Sequence, residues 1–142
     1  MQPEANSERG RYEFRDHTGE VEVYLEAPDF AGLCEEAGRA LAELMLGESS
    51  TGTTECTTVS VEGADRSALL YNWINELIYR SEVEKVVYTE FDVHQPAEDR
   101  LVARVCGVEP RTICTAVKAA TFHRLSVEQW ESGVGATVVL DV

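Results

Sequence analysis

The stretch from Leu69 to Ile78 constrains the fold more than any other part of the chain. Its large apolar side chains recur at intervals of three and four residues, which is the spacing of one face of an α-helix. They are Leu69, Leu70, Trp73, Ile74, Leu77 and Ile78. Because fully burying each such side chain is worth about 1.5–3 kcal/mol, a helix from Arg66 to about Ser81, with Asp65 as its N-cap, is predicted to anchor the core.

The opposite face of this helix is polar. It carries Asn72, Asn75, Glu76 and Tyr79. A polar helix face is most often solvated, and contact with a partner is the alternative.

Helix and strand patterns alternate along the rest of the chain. A first helix is predicted from Phe30, after the candidate N-cap Asp29, to Gly47, because apolar residues follow helical spacing there. Alternating apolar and polar residues predict strands at Tyr12–Arg15, Val21–Ala27, Thr57–Glu62, Val86–His94, Leu101–Val108, Thr115–Glu128 and Val134–Val142. Turns are expected at Asp16–Glu20, where Gly19 can adopt a positive φ, and at Pro96–Asp99. This order predicts an α+β fold, with two helices packed on one face of a mixed, largely antiparallel sheet.

The chain has the length of one ordinary domain, 142 residues. The polar residues 1–10 are expected to form a flexible arm before a domain that spans residues 11–142. No apolar run approaches the roughly 18–20 residues of a membrane span, and the beginning of the sequence lacks a signal-peptide pattern. A cytoplasmic protein without membrane contact is expected.

The net charge is −14, from 12 basic and 26 acidic residues. A surface that grips the phosphate backbone carries a basic stripe, so strong direct binding of nucleic acid is not expected. A basic protein partner or a metal cation fits this charge better.

The four cysteines, Cys34, Cys56, Cys106 and Cys114, contain no C-x-x-C pair. Their spacing matches no zinc site. Buried free thiols of a cytosolic protein are therefore predicted.

Acidic residues end two of the predicted strands. Glu20 stands at the beginning of the second strand, and Asp141 and Val142 bring a side-chain carboxylate and a terminal carboxylate to the end of the last one. If these strands are neighbours, three carboxylates converge, and a bound hard cation would relieve their repulsion. The alternative is that both acidic strand ends are simply solvated.

Other candidate residues assemble no active site. Asp16 and His17 are adjacent in a strand and so point to opposite faces. His123 is expected to be a hydrogen-bonded core or rim histidine, and Lys118 to pair with a carboxylate. Phosphate-binding glycine loops, nucleophile elbows and H-E-x-x-H motifs are missing from the sequence. A small metal-dependent hydrolase is thus disfavoured.

Four motifs, in order along the chain, resemble those of the archease family. The opening run Tyr12–Glu20 resembles the family's Y-E-…-D-H-T-A-D, and Leu69–Leu77 resembles its second helix. Val117–His123 is similar to the family's K-A-x-T-[YF]-H strand, and Val139–Val142 to its terminal strand.

This resemblance implies a non-enzymatic partner of an RtcB-type RNA ligase, which promotes guanylylation and multiple turnover of that ligase in tRNA splicing and RNA repair. It also implies a divalent cation held by Glu20, Asp141 and Val142, with Asp16, His17, Lys118 and His123 as possible supporting or partner-contacting residues. The family usually has Asp at the position of Glu20. Calcium tolerates this change best, with magnesium or manganese as alternatives. The alternative function is a chaperone-like modulator of an RNA-modifying enzyme such as a tRNA methyltransferase.

Overall fold

The computed structural model of the chain describes residues 10–47 and 55–142, so residues 1–9 of the expected arm lie outside the described part. The helices there are α1 (Phe30–Leu46) and α2 (Arg66–Glu84). The strands are β1 (Arg11–His17), β2 (Glu20–Ala27), β3 (Glu55–Glu62), β4 (Val87–Ala97), β5 (Arg100–Val108), β6 (Ala119–Thr121), β7 (Val127–Trp130) and β8 (Gly133–Asp141).

The described strands form two sheets. One has five strands in the order β1-β2-β8-β6, with β7 also paired to β8, and the other has three in the order β3-β5-β4. Every pairing in the described part is antiparallel. The predicted α+β class is confirmed, but the strands divide between two antiparallel sheets where one mixed sheet was expected.

Both helices begin at the predicted N-caps. The Asp29 side chain accepts a hydrogen bond from the backbone N–H of Gly32, and Asp65 accepts one from Ala68, each at 2.8 Å. A side-chain acceptor at this position satisfies one of the backbone donors that a helix beginning leaves unpaired. The chain therefore encodes both helix beginnings locally.

The apolar stripe of α2 is the centre of the core, as predicted. Its six large residues are at most 6% exposed. The indole N–H of Trp73 donates to the backbone carbonyl of Cys34 on α1 at 2.8 Å, and its ring meets Phe91 of β4 edge-on. One hydrophobic cluster includes residues of both helices and both sheets, so the described part folds around a single core.

Two asparagines on the polar face of α2 bond to backbone, which corrects the prediction of a solvated face at these positions, whereas Tyr79 is 60% exposed as predicted. The Asn75 side chain accepts from the N–H of Ala120 at 2.9 Å and donates to the carbonyl of Ala120 at 3.4 Å. Asn72 donates to the carbonyl of Glu62 at 2.7 Å. An amide side chain can serve as donor and acceptor together, so Asn75 satisfies the outer edge of β6, the last strand of its sheet.

The predicted strand from Thr115 to Glu128 is wrong in its extent. Only β6 and β7 are extended, and a turn separates them, in which the N–H of Leu125 donates to the carbonyl of Phe122 and Arg124 has a φ of 62°. Both short strands pair with β8, β6 beside residues 139–141 and β7 beside residues 133–136. The alternation also fails to identify the buried face, because β6 buries Ala120 while Ala119 and Thr121 are half-buried, and no residue of β7 is buried.

The prediction of four buried free thiols is also wrong. Cys56 and Cys106 are direct partners in the β3–β5 ladder and form a disulfide. Cys114 is free but exposed, and only Cys34 is both free and buried. Burial raises the pKa of the Cys34 thiol well above its ordinary value. The bonded cysteines are 50 positions apart in the sequence, so only the strand pairing reveals the disulfide. The cysteines therefore no longer support a reducing compartment.

Candidate metal centre

The register of two central strands places Glu20 beside Asp141. Strands β2 and β8 are antiparallel, with Glu20 opposite Asp141 and Val21 opposite Leu140. Val21 and Leu140 are 6% and 2% exposed and belong to the core. Successive strand residues point to opposite faces, so Glu20 and Asp141 share the outer face of the sheet.

The hydrogen bonding around this pair brings the two side chains close together. The N–H of Val142 donates to the carbonyl of Gly19 at 3.1 Å, which makes Gly19 and Val142 a hydrogen-bonded pair at the end of the ladder. Glu20 and Asp141 therefore occupy the adjoining non-hydrogen-bonded position, where opposing Cα atoms are about 4.5 Å apart and side chains are closest. Gly19 has a φ of 74°, as expected for the tight turn between β1 and β2.

The donor atoms at this sheet end suit a hard divalent cation. Two side-chain carboxylates on one face repel each other, and oxygen ligands of this kind bind calcium, magnesium or manganese. Within residues 10–47 and 55–142, no three His, Cys, Asp or Glu side chains come together to hold a metal ion. Glu20 and Asp141 are thus two candidate ligands, and the Val142 N–H bond to Gly19 holds the residue after Asp141 at the same end of the sheet.

The structure separates the two residues that precede this site. His17 lies opposite Glu20 in the β1–β2 ladder and so shares its face, and the His17 Nε2 atom is 3.4 Å from a carboxylate oxygen of Glu22. Asp16 lies opposite Val21 and faces the other side. His17 is thus next to the acidic pair, whereas Asp16 is not, as the alternation predicted.

Lys118 adjoins Asp141 through its backbone. It is Ala119 that pairs with Asp141, while the Lys118 N–H donates to the Asp141 carbonyl at 2.8 Å. The side chain of Lys118 lines a groove with Ile78 and Val117. Among the described residues no ion pair involves Lys118, so its predicted carboxylate partner is not found there.

His123 is exposed in the turn between β6 and β7. The expectation of a core or rim position is wrong, because the chain leaves the sheet before this residue. Next to it, the ring of Phe122 stacks on Tyr71 of α2, with ring centroids 5.0 Å apart. Phe122 remains 48% exposed.

The chain matches the archease protein family model over residues 12–142. It belongs to the archease family. Curated archease proteins from Methanosarcina mazei and Archaeoglobus fulgidus are 28% and 29% identical to it, and the alignments cover 96% and 93% of this chain and 99% of each relative. The predicted family is confirmed.

Solved structures agree with this archease fold. The solution structure of Methanobacterium thermoautotrophicum protein 1598 superposes with a TM-score of 0.71 at 26% identity, covering 92% of this chain and 98% of the other. The crystal structure of an archease from Thermotoga maritima, described as a possible chaperone, gives a TM-score of 0.69 at 19% identity, covering 90% and 94%. In the described residues, neither helix of this archease has the length and hydropathy needed to cross a membrane.

Proposed function

We propose that this archease is a non-enzymatic accessory protein that activates an RtcB-type RNA ligase, promoting its guanylylation and multiple turnover. We also propose that it does so with a divalent cation bound by Glu20, Asp141 and the Val142 carboxylate. The observation that carries the proposal is the cross-strand pairing of Glu20 with Asp141 on the outer face of the sheet. Family membership and the four motifs of the sequence support the choice of partner.

In this function the residues of the chain bind and position the cation. Glu20 and Asp141 hold the cation at a solvent-facing sheet end, and the β2–β8 ladder keeps both side chains in place. A bound divalent cation supplies positive charge next to the phosphates of a nucleotide in the ligase. The acidic surface of this chain, with a net charge of −14, leaves RNA binding to the ligase.

Calcium is the proposed ion because this chain has Glu where the family usually has Asp. The extra methylene of Glu20 moves its carboxylate by about one bond length, roughly 1.5 Å. Calcium accepts variable distances and six to eight oxygen ligands, whereas magnesium requires nearly ideal octahedral geometry. Magnesium and manganese are the alternatives.

The test is multiple-turnover RNA ligation by an RtcB-type ligase, with and without this archease, together with calorimetric titration of calcium. Asp141→Asn should abolish both stimulation and calcium binding while leaving the melting temperature nearly unchanged, since the half-buried Asp141 side chain forms no ion pair among the described residues. Glu20→Asp should retain both. Adding residues after Val142 should weaken both, because the main-chain carboxylate is then displaced.

A matched control is Glu128→Gln. Glu128 lies on β7 opposite Gly135, on the same outer face of the same sheet but away from the acidic pair. The substitution removes one negative charge, as Asp141→Asn does, and should leave ligation and calcium binding intact. If Asp141→Asn stimulates the ligase as well as the parent protein does, the proposed metal site has no part in the function.

A chaperone-like role toward an RNA-modifying enzyme, such as a tRNA methyltransferase, is the second candidate. It is favoured by the description of the Thermotoga maritima protein as a possible chaperone. Purification of tagged archease from cell extract separates the two candidates. Recovery of a ligase supports activation, and recovery of a methyltransferase without a ligase supports the chaperone-like role.

A further inference from the structure

A groove of about 640 Å³ is lined by Lys118, whose backbone N–H bonds to the Asp141 carbonyl, and extends to the ends of both helices. Its walls are the last turns of α1 and α2, the beginning of β4 and the loop from residue 109 to residue 118. The apolar side chains that line it are Met45, Ile78, Val87, Pro110, Ile113 and Val117. Ile113 is 45% exposed and contributes apolar surface to the groove. The volume is in the range of small-molecule sites.

The charge of this groove differs from that of the chain. Both lysines of the sequence, Lys85 and Lys118, line it together with Arg111. In the part of the chain that the structure describes, these three cations form no ion pair. The groove also contains Glu82 and Glu109, so its side chains sum to about +1 in a chain of net charge −14.

We propose that this groove is a binding site for a small organic anion, with one carboxylate or phosphate monoester as its head group and an apolar body. Arg111 and the two lysines bind the head group, because guanidinium and ammonium donors make strong hydrogen bonds to such oxygens. The apolar wall around Ile113, which is 45% exposed, takes the body of the ligand, because burying exposed apolar surface is favourable.

The overall charge selects against larger anions. A polyanion such as an RNA strand meets the repulsion of the whole acidic surface. A ligand with a single head group meets mainly the local field of the three cations, since more distant charges are screened over about 8–10 Å at physiological salt. A small ligand with one acidic group therefore fits both the groove and its surroundings.

The test is an NMR titration of the full-length protein with probes that separate head group from body. Phenyl phosphate and benzoate carry both parts, inorganic phosphate carries only a head group, and benzyl alcohol carries only a body. The inference requires that phenyl phosphate or benzoate bind more tightly than either single-part probe. It also requires that the amide shifts that move map to Met45, Ile78 and Val117.

A charge variant adds a second measurement. Arg111→Met with Lys85→Met should weaken binding of the better probe by about ten-fold or more, as loss of charge-assisted hydrogen bonds does. Arg104→Met, an exposed arginine outside the groove, should not. The inference fails if neither two-part probe binds, if inorganic phosphate binds as tightly as phenyl phosphate, or if the shifts map elsewhere. It fails equally if the groove variant and the Arg104 control behave alike.

This inference is independent of the ligase proposal. Its readout is ligand binding at the groove, whereas that proposal is tested by ligation and calcium titration with Asp141→Asn. If ligand binding at the groove is not observed, the ligase proposal is unaffected, and failure of the ligase proposal likewise leaves the groove inference unaffected.

Discussion

Asn75→Ala should detach the edge strand β6 from α2. In the structure the Ala120 N–H donates to the Asn75 side chain at 2.9 Å, while the return bond to the Ala120 carbonyl, at 3.4 Å, is long enough to add little. Ala120 is only 3% exposed. Leaving this buried N–H without an acceptor costs about 1–3 kcal/mol, which is the expected loss in the free energy of unfolding.

Two measurements check this magnitude and its cause. Denaturant unfolding gives the free energy, and NMR hydrogen exchange reports on the Ala120 amide itself, which should exchange faster in Asn75→Ala. Asn75→Asp keeps an acceptor oxygen and should preserve the protection of Ala120. Asn72→Ala removes a bond to the carbonyl of Glu62 and should leave Ala120 unaffected. If Ala120 exchanges in Asn75→Ala as slowly as in the parent protein, Asn75 does not hold the edge strand.

Three further outcomes are expected. Trp73→Ala should lower the free energy of unfolding by about 3–5 kcal/mol, as large-to-small changes in a core do, and a loss below about 1 kcal/mol in denaturant melts would contradict the role of α2 as anchor. Burial, followed by the hydrogen bond to Glu43, raises the pKa of Tyr12 from 10.0 to about 12. The folded state therefore keeps a proton that the unfolded state has lost, so stability should fall as pH rises from about 10 to about 12, and the fall should be smaller in Tyr12→Phe in pH-dependent melts. Binding of tRNA by this chain alone at physiological salt should be undetectable in a filter assay, because a charge of −14 repels phosphate; tight, salt-sensitive binding would overturn that expectation.

Local signals in the sequence predicted the elements whose cause is local. Asp29 and Asp65 cap their helices as expected, because an N-cap depends only on the next three residues. Gly19 takes the positive φ that a short turn requires. The stripe around Trp73 is buried because its period matches the helix.

Features that depend on pairing between distant residues were not predictable in this way. The Cys56–Cys106 bond exists because β3 and β5 are neighbours, which no spacing in the sequence reveals. The division into two sheets likewise depends on which strands pair. Asn75 bonds to the backbone of Ala120 because β6, the edge strand of its sheet, lies beside α2. The sequence does not reveal this neighbour, so the Asn75 side chain was predicted to be solvated.

The candidate metal centre depends both on local sequence signals and on pairing between distant strands. Alternation predicted that Glu20 lies on the face opposite Val21, and the pairing of β2 with β8 was stated as a condition that the structure now meets. His17 joins the same face because β1 pairs with β2 in register. The groove that contains Lys118 had no signal in the sequence, because its walls come from segments far apart in the chain.

The position of the acidic pair is fixed by the same register that builds the core. Val21, Val23 and Leu25 of β2 are at most 6% exposed, and they face the buried residues Leu140 and Val138 of β8. A slip of one residue in β2 would turn this apolar set to solvent and move Glu20 into the core. Burying an unpaired carboxylate there would cost several kcal/mol in addition to the lost apolar burial. The core therefore holds Glu20 opposite Asp141 without any contribution from the carboxylates themselves, so exchanging either one should change what the sheet end binds and leave the fold intact.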